Sequence, residues 1–203
     1  MIALIDYGMG NLGSVGKALE FVGAEFELLD SPERLETFSA CILPGVGHFG
    51  DGMANLVKRG FVAPLRQFAA SGKVFGGICL GMQMMLDSSE EAPGVAGLGI
   101  IPGRVVRFVS ETEKIPHMGW NNVKVKTPCY GTAGIGEEDF FYFVHSYYAL
   151  PDNPADVALE THYICDFASA LTRGNIFATQ FHPEKSQQPG LRMLKNIVDH
   201  AKA

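Results

Sequence analysis

The chain is poor in the features that would assign it to several broad classes. Its 203 residues hold four cysteines, Cys41, Cys79, Cys129 and Cys165, with no Cys-x-x-Cys pair among them. That removes the local signatures of zinc sites and thioredoxin-type redox centres. The start, Met1-Ile2-Ala3-Leu4-Ile5-Asp6, lacks the basic segment and cleavage site of a signal peptide. A cytoplasmic location and free thiols are therefore expected, with Cys41, Cys129 and Cys165 as packing residues. No apolar run is long enough to span a bilayer, so no membrane partner is expected. Only 19% of residues are charged and the net charge is −6, which argues against nucleic acid as the main partner. His48, His117, His145, His162 and His200 show no metal-ligand spacing. No metal or organic cofactor is implied. No repeat, low-complexity tract or linker interrupts the chain.

What is present suits one domain with a sizeable core, since 47% of residues are hydrophobic. Strand patterns at Ile2–Asp6, Phe26–Asp30, Cys41–Leu43 and Val74–Ile78 alternate with helical patterns up to Val22, from Gly50 to Ala70 with a break near Gly60, and over Leu80–Leu86. That alternation predicts a parallel sheet covered on both faces. The second half changes to antiparallel character at Val105–Val109, Asn122–Val125 and Phe140–Tyr148. Further strand signals stand at Val157–His162 and Ala178–Phe181, and a closing helix runs from about Pro189 to His200. The expected fold is a single α/β domain whose central mixed, mostly parallel sheet is flanked by helices.

Two short segments carry chemistry. In Gly77-Ile78-Cys79-Leu80-Gly81 a cysteine holds the central place of a nucleophile elbow, a tight strand-to-helix turn. The glycines leave room for the turn, and the helix N-terminus favours a thiolate. The N–H of Leu80 is then aimed at a developing oxyanion. Pro44-Gly45-Val46-Gly47, after another buried strand, is a second candidate oxyanion contributor, because ligands of parallel sheets bind at the carboxyl ends of the strands. Near the C-terminus, His182 and Glu184 bracket Pro183. Proline is expected to keep the segment extended and both side chains on one side. A thiol, a base and a carboxylate that orients the base are the parts of a Cys-His-Glu triad, and predict a thiol-dependent amide hydrolase.

A rival signal is Gly8-Met9-Gly10-Asn11-Leu12-Gly13, which matches a dinucleotide-binding fingerprint between a strand and a helix. Asp6 just before it would oppose a pyrophosphate, and the remaining chain is short for a second nucleotide-binding half. The glycines read as a tight turn at the sheet edge, with a nucleotide-binding module as the remote alternative.

Gly77–Gln83 (Gly-Ile-Cys-Leu-Gly-Met-Gln) and Phe181–Ser186 (Phe-His-Pro-Glu-Lys-Ser) resemble the class I (triad) glutamine amidotransferases. Asp6–Leu12, Pro44–Gly47, Pro116–Asn121 and Val144–Tyr148 narrow the resemblance to the glutaminase subunits of imidazole glycerol phosphate synthases. The likeness runs over the whole chain and implies one type 1 glutamine amidotransferase domain over residues 1–203. It implies hydrolysis of glutamine to glutamate and ammonia through a γ-glutamyl thioester on Cys79, with His182 as base and Glu184 as its orienter. Leu80 and the Gly45, Val46, Gly47 turn would form the oxyanion hole, the turn reorienting once the partner is loaded. Gln83, Glu91, Ser146 and Tyr147 would hold glutamine, though each also fits a plainer role in helix, loop or strand. Asn11, Met118, Trp120, Asn121 and Lys185 would face a separate (β/α)8-barrel cyclase, the other half of a heterodimer. That subunit consumes the ammonia to make imidazole glycerol phosphate and aminoimidazole carboxamide ribotide in histidine biosynthesis. A glutaminase of another synthase, or a stand-alone γ-glutamyl hydrolase, is the nearer alternative.

Overall fold

The computed structural model describes residues 1–202. Its first part alternates strands and helices: β1 (Ile2–Ile5), α1 (Leu12–Phe21), β2 (Phe26–Leu29), β3 (Ala40–Gly45), α2 (Phe49–Lys58), α3 (Val62–Ala70), β4 (Val74–Cys79) and α4 (Leu80–Met84). Strands then dominate: β5 (Ser88–Ser89), β6 (Gly103–Arg107), β7 (His117–Asn122), β8 (Lys124–Val125), β9 (Phe140–His145), β10 (Tyr147–Pro151), β11 (Val157–Tyr163), β12 (Cys165–Arg173) and β13 (Ile176–Thr179). Helix α5 (Gln187–His200) closes the chain.

One mixed sheet runs β2-β1-β3-β4-β13-β12-β10-β6-β5. Its β2-to-β13 part is parallel, and the β13–β12, β12–β10 and β10–β6 pairs are antiparallel. Strand β11 branches from β12 and carries β8, while β7 and β9 form a separate antiparallel pair. Both faces of the central parallel part are covered, which explains why β1, β3 and β4 are apolar throughout rather than alternating. Side chains of successive residues still point to opposite faces. Ile2 and Leu4 join Val15 and Leu19 of α1 and Leu194 and Ile197 of α5. Ala3 and Ile5 join Met53 and Leu56 of α2 and Leu65 of α3. Among the described residues no helix is long and apolar enough to cross a membrane.

The last strand is inserted between β4 and β12, and this builds the site. Thr179 of β13 pairs with Ile78, and Gly45 of β3 pairs with Cys79. The carboxyl ends of β3, β4 and β13 therefore finish side by side, although their residues lie more than a hundred positions apart in the chain for β3 and β13.

Several local expectations change. The third strand is longer than Cys41–Leu43, because Pro44 and Gly45 continue the pairing with β4. Helix α4 stops at Met84 rather than Leu86, as the Met84 and Met85 carbonyls are taken by the N–H groups of Leu98, Ile100 and Ile101. The Phe140–Tyr148 run breaks at Ser146 into β9 and β10, and the last strand spans Ile176–Thr179 instead of ending at Phe181. His117–Asn122, where the sequence pattern marks no strand, is β7, since its partner β9 supplies the pairing that its polar and glycine residues do not advertise. Strand β12 has no counterpart in the sequence pattern: Phe167-Ala168-Ser169-Ala170 is buried on both faces and rich in small residues of weak strand preference.

Phe177 of β13 is wholly buried, and its ring fills the space above Gly131 and beside Tyr130. Phe177→Ala is expected to cost about 3–5 kcal/mol of stability, measured as a shift of the urea unfolding midpoint.

Candidate active site

Cys79 ends β4 and precedes α4 with φ 55° and ψ −110°, a left-handed backbone that side-chain-bearing residues avoid. The neighbouring glycines explain how such a turn survives. A Cβ on Gly81 would run into the Leu43 carbonyl, and one on Gly77 would approach Met85 Cε to 2.9 Å and Ala178 Cβ to 3.0 Å. The sharp turn brings the Cys79 side chain to a cavity of about 310 Å³ whose wall includes Leu80, Gln83, Glu91, Tyr147 and His182.

His182 approaches the same cavity from the end of β13. Its Nδ1–H donates to Glu184 Oε1 at 2.8 Å, with both side chains buried. The segment is not extended throughout as expected. His182 itself is extended, but Pro183–Lys185 forms a 3-10 turn with proline at its first position, where its ring suits the turn and its missing N–H costs nothing. That turn, rather than alternation along a strand, swings Glu184 back under the imidazole. Ser186, also fully buried, donates to the His182 carbonyl at 2.6 Å and accepts from the Tyr142 N–H at 3.0 Å. The His182 N–H donates to the Tyr142 carbonyl. Strand β9 thus fixes the backbone of the histidine.

Burial alone would lower the His182 pKa. The neighbouring Cys79 and Glu184 outweigh it and raise the value to about 10. Among the described residues His182 Nε2 has no hydrogen-bond partner, so the sulfur biases the imidazole toward the charged form without being aligned on it. Catalytic contacts of this kind are commonly loose before substrate binds.

A second polar chain reaches the sulfur. Gln83 Nε2 donates to the Tyr147 carbonyl and to Gln180 Oε1, both at 3.0 Å, and Gln180 Nε2 lies 3.8 Å from Cys79 Sγ as a donor. Gln180 is completely buried. It carried no special signal in sequence beyond standing two residues before His182. The amide group of Gln83, a candidate glutamine contact, is thereby engaged in orienting Gln180. Glu91, a second such candidate, lines the cavity while its carboxylate accepts the Phe49 N–H at the start of α2, at 2.8 Å. Ser146 and Tyr147 line it from the junction of β9 and β10. Of the oxyanion candidates, Leu80, Val46 and Gly47 reach the cavity wall. Gly45 lies buried behind it as the last residue of β3.

The candidate partner-facing residues divide. On β7, Met118 and Trp120 are exposed, and Trp120 packs edge-on against Tyr142 at 6.0 Å. Lys185 Nζ lies 5.8 Å from the Tyr142 ring centre. Asn121 instead turns inward, donating to the His162 carbonyl at 3.0 Å and approaching His117 Nε2 at 3.4 Å. Asn11 caps α1 by accepting the Ser14 N–H. In the Gly8–Gly13 turn, Asp6 accepts the Gly8 N–H at 2.9 Å. Two histidines unmarked by the sequence link β7 to the cavity. His145 Nδ1–H donates to the Tyr147 carbonyl, so its Nε2 accepts from His117 Nδ1–H at 3.0 Å. Burial pushes His117 down to about 4 and His145 down to about 3, so the pair is neutral. Among the described residues no group of three or more His, Cys, Asp or Glu side chains is arranged to hold a metal ion.

Comparison with known proteins places this geometry. The family model for glutamine amidotransferase class-I matches residues 3–201. The chain is 47% identical to imidazole glycerol phosphate synthase subunit HisH of Syntrophotalea carbinolica, over 98% of this chain and 100% of that one. It is 48% identical to the subunit of the same name from Moorella thermoacetica, over 98% and 96%. Among solved structures it shares its fold with PurLQS from Thermotoga maritima at a TM-score of 0.77, with 18% identity over 98% of this chain and 97% of that one. The crystal structure of a glutamine amidotransferase gives a TM-score of 0.75 and 19% identity, with full coverage of both chains.

Because the folded His182 pKa lies above the value of about 6.5 for an unfolded histidine, its charge contributes stability that is complete below about pH 6.5. That contribution is lost as the pH rises through about 10. In an NMR titration the His182 ring is expected to hold its proton through pH 8. In Cys79→Ala, which removes two of the raising influences, it should release the proton at lower pH.

Proposed function

The chain belongs to the class-I glutamine amidotransferase family, in the branch of the imidazole glycerol phosphate synthase HisH subunits, and we propose that Cys79, His182 and Glu184 are its catalytic triad. The protein is a glutaminase that releases ammonia from glutamine for histidine biosynthesis. The observation that carries the triad is the meeting of Cys79 and His182 on one cavity wall, with the buried Glu184 carboxylate 2.8 Å behind the imidazole.

The chemistry follows from that arrangement. His182, charged at neutral pH through its raised pKa, already carries the proton that the thiol gives up, and Glu184 holds Nδ1–H so that Nε2 faces the reacting groups. The thiolate attacks the side-chain amide carbon of glutamine, forming the C–S bond and pushing the carbonyl electrons onto oxygen. The Leu80 N–H, at the start of α4, and an N–H of the Gly45–Gly47 turn stabilise that oxyanion. When the tetrahedral centre collapses, the C–N bond breaks and the imidazolium gives its proton to the departing ammonia. The γ-glutamyl thioester remains. Water, activated by the now neutral His182, adds to the thioester carbonyl. Breaking the C–S bond then releases glutamate and restores Cys79. The buried Gln180 acts on the sulfur as a donor, and Gln83 holds Gln180. Glu91, Ser146 and Tyr147 contribute the contacts that orient glutamine.

The ammonia is delivered to a (β/α)8-barrel cyclase bound as a heterodimer partner in the cytoplasm, through the face carrying Met118, Trp120 and Lys185. An exposed tryptophan flanked by an exposed methionine is the kind of anchor that dominates interface energetics and is otherwise unfavourable on a free surface. The same face touches the site: Tyr142, against which Trp120 packs, hydrogen-bonds His182 and Ser186.

Glutamate release from glutamine tests the reading, with the purified chain alone and with the cyclase plus its nucleotide substrate. Strong activity only with the loaded partner is expected, and equal activity in both conditions would point to a stand-alone hydrolase. Cys79→Ala should abolish release while the chain stays folded. His182→Ala should cost more than Glu184→Ala, because the base contributes more than the group that orients it. A reversed order would assign Glu184 another role.

A further inference from the structure

Tyr7 stands two residues past the end of β1, and its side chain is wholly buried on the face of the sheet shared with α2, α3 and α4. Its hydroxyl is wedged under the end of β3: a Cβ on Gly45 would stand 2.5 Å from Tyr7 Oη and 3.0 Å from the Gly81 nitrogen. Buried hydroxyls are ordinarily hydrogen-bonded, yet this one has no partner among the described residues. Burial, and secondarily the neighbouring Cys79, push its pKa well above the ordinary tyrosine value. The group therefore keeps its proton and can act only as a neutral donor or acceptor. It belongs to no step of the reaction as derived above.

The surroundings limit what it can donate to. The first residues of α4 offer N–H groups, not free carbonyls, since the carbonyls of a first turn are engaged within the helix. The turn above it offers the Gly45 carbonyl. In a planar trans peptide the Gly45 C=O and the Val46 N–H point in opposite directions. Val46 stands on the cavity wall, and Gly47 has a φ of +101° that lends the turn backbone freedom. A rotation that sends the Gly45 carbonyl down toward Tyr7 necessarily sends the Val46 N–H up toward the cavity.

We propose that Tyr7 is a positioning residue that acts through the Gly45–Val46 peptide, its hydroxyl donating to the Gly45 carbonyl in the reacting state and so holding the Val46 N–H on the oxyanion. The hydrogen bond is absent at rest and forms with the rotation, so the unpartnered hydroxyl favours the active arrangement over the resting one. This inference rests on the turn being part of the oxyanion hole.

Tyr7→Phe tests it, because the substitution deletes only the oxygen. Removing a buried, unpartnered polar atom should leave the melting temperature unchanged or raise it. The proposal expects that result together with a kcat for glutamine hydrolysis lowered roughly tenfold or more. Loss of a whole oxyanion donor, about 10²- to 10³-fold, is the ceiling. KM should change little, and the pH profile of Cys79 alkylation by iodoacetamide should be unaltered, since the hydroxyl acts on the turn and not on the sulfur. Rates are compared under whichever condition, alone or with the cyclase, the wild type is most active. An unchanged kcat overturns the proposal. So does a lowered melting temperature, which would mean that the hydroxyl serves the resting fold, or a shifted alkylation profile, which would mean that it serves the thiol. Full activity in the Cys79→Ala control would instead remove the triad reading on which the proposal stands.

Discussion

The left-handed turn at Cys79 is the constraint on which the rest of the site depends. A residue with a side chain held at φ 55° stores roughly 1–3 kcal/mol of strain and persists only where its surroundings leave no alternative. Here those surroundings are close backbone approaches: Gly81 against the Leu43 carbonyl, Gly77 against Ala178, and Gly45 against Leu80. Two of these contacts join α4 to β3 on one side, and the third joins β4 to β13 on the other. The packing of two helix layers on a fully buried parallel sheet supplies the rigidity, and the glycines supply the room. The strained turn then sets the direction of the thiol, the start of α4 and the position of the Leu80 N–H together.

The second feature is the support behind the histidine. His182 is held by Glu184 through its ring and by Ser186 and Tyr142 through its backbone. Tyr142 belongs to the β7–β9 pair that also carries the exposed Trp120 and Met118. The base is therefore two contacts away from the exposed Trp120. The neutral His117–His145 pair provides a parallel buried connection from β7 to the Tyr147 carbonyl, where the chain from Gln83 and Gln180 also ends. A disturbance of β7 and β9 has short physical routes both to the base and to the groups around the sulfur.

Much of this was legible in the sequence because it is local. The elbow glycines, the apolar strand before them and the helix after them are consecutive, and His182 and Glu184 are two residues apart. The length of β3, the identity of β7 and the existence of β12 were not legible, because pairing with β4, β9 and β13 stabilises segments whose own residues include proline, glycine and alanine. The short turn at Pro183–Lys185 was misread as extended for a related reason: proline suits both conformations, and the hydrogen bonds that choose between them come from Ser186 and β9. Gln180 has no assigned role in the sequence pattern, and Tyr7 is known there only as part of the Asp6–Leu12 segment. Their polar atoms matter because of what the fold places beside them.

By itself the sequence determined the alternation of strands and helices, the elbow at Cys79, the pairing of His182 with Glu184 and the family resemblance, since each rests on residues close together along the chain. Only the tertiary structure decided that β13 lies between β4 and β12, so that His182 meets Cys79. It also decided that Gln83 reaches the sulfur through Gln180, that Asn121 turns inward while Trp120 stays exposed, and that the Tyr7 hydroxyl is buried under Gly45 with no partner among the described residues. Those are outcomes of side chains from distant segments competing for one buried volume, and that competition is settled by packing the whole chain at once.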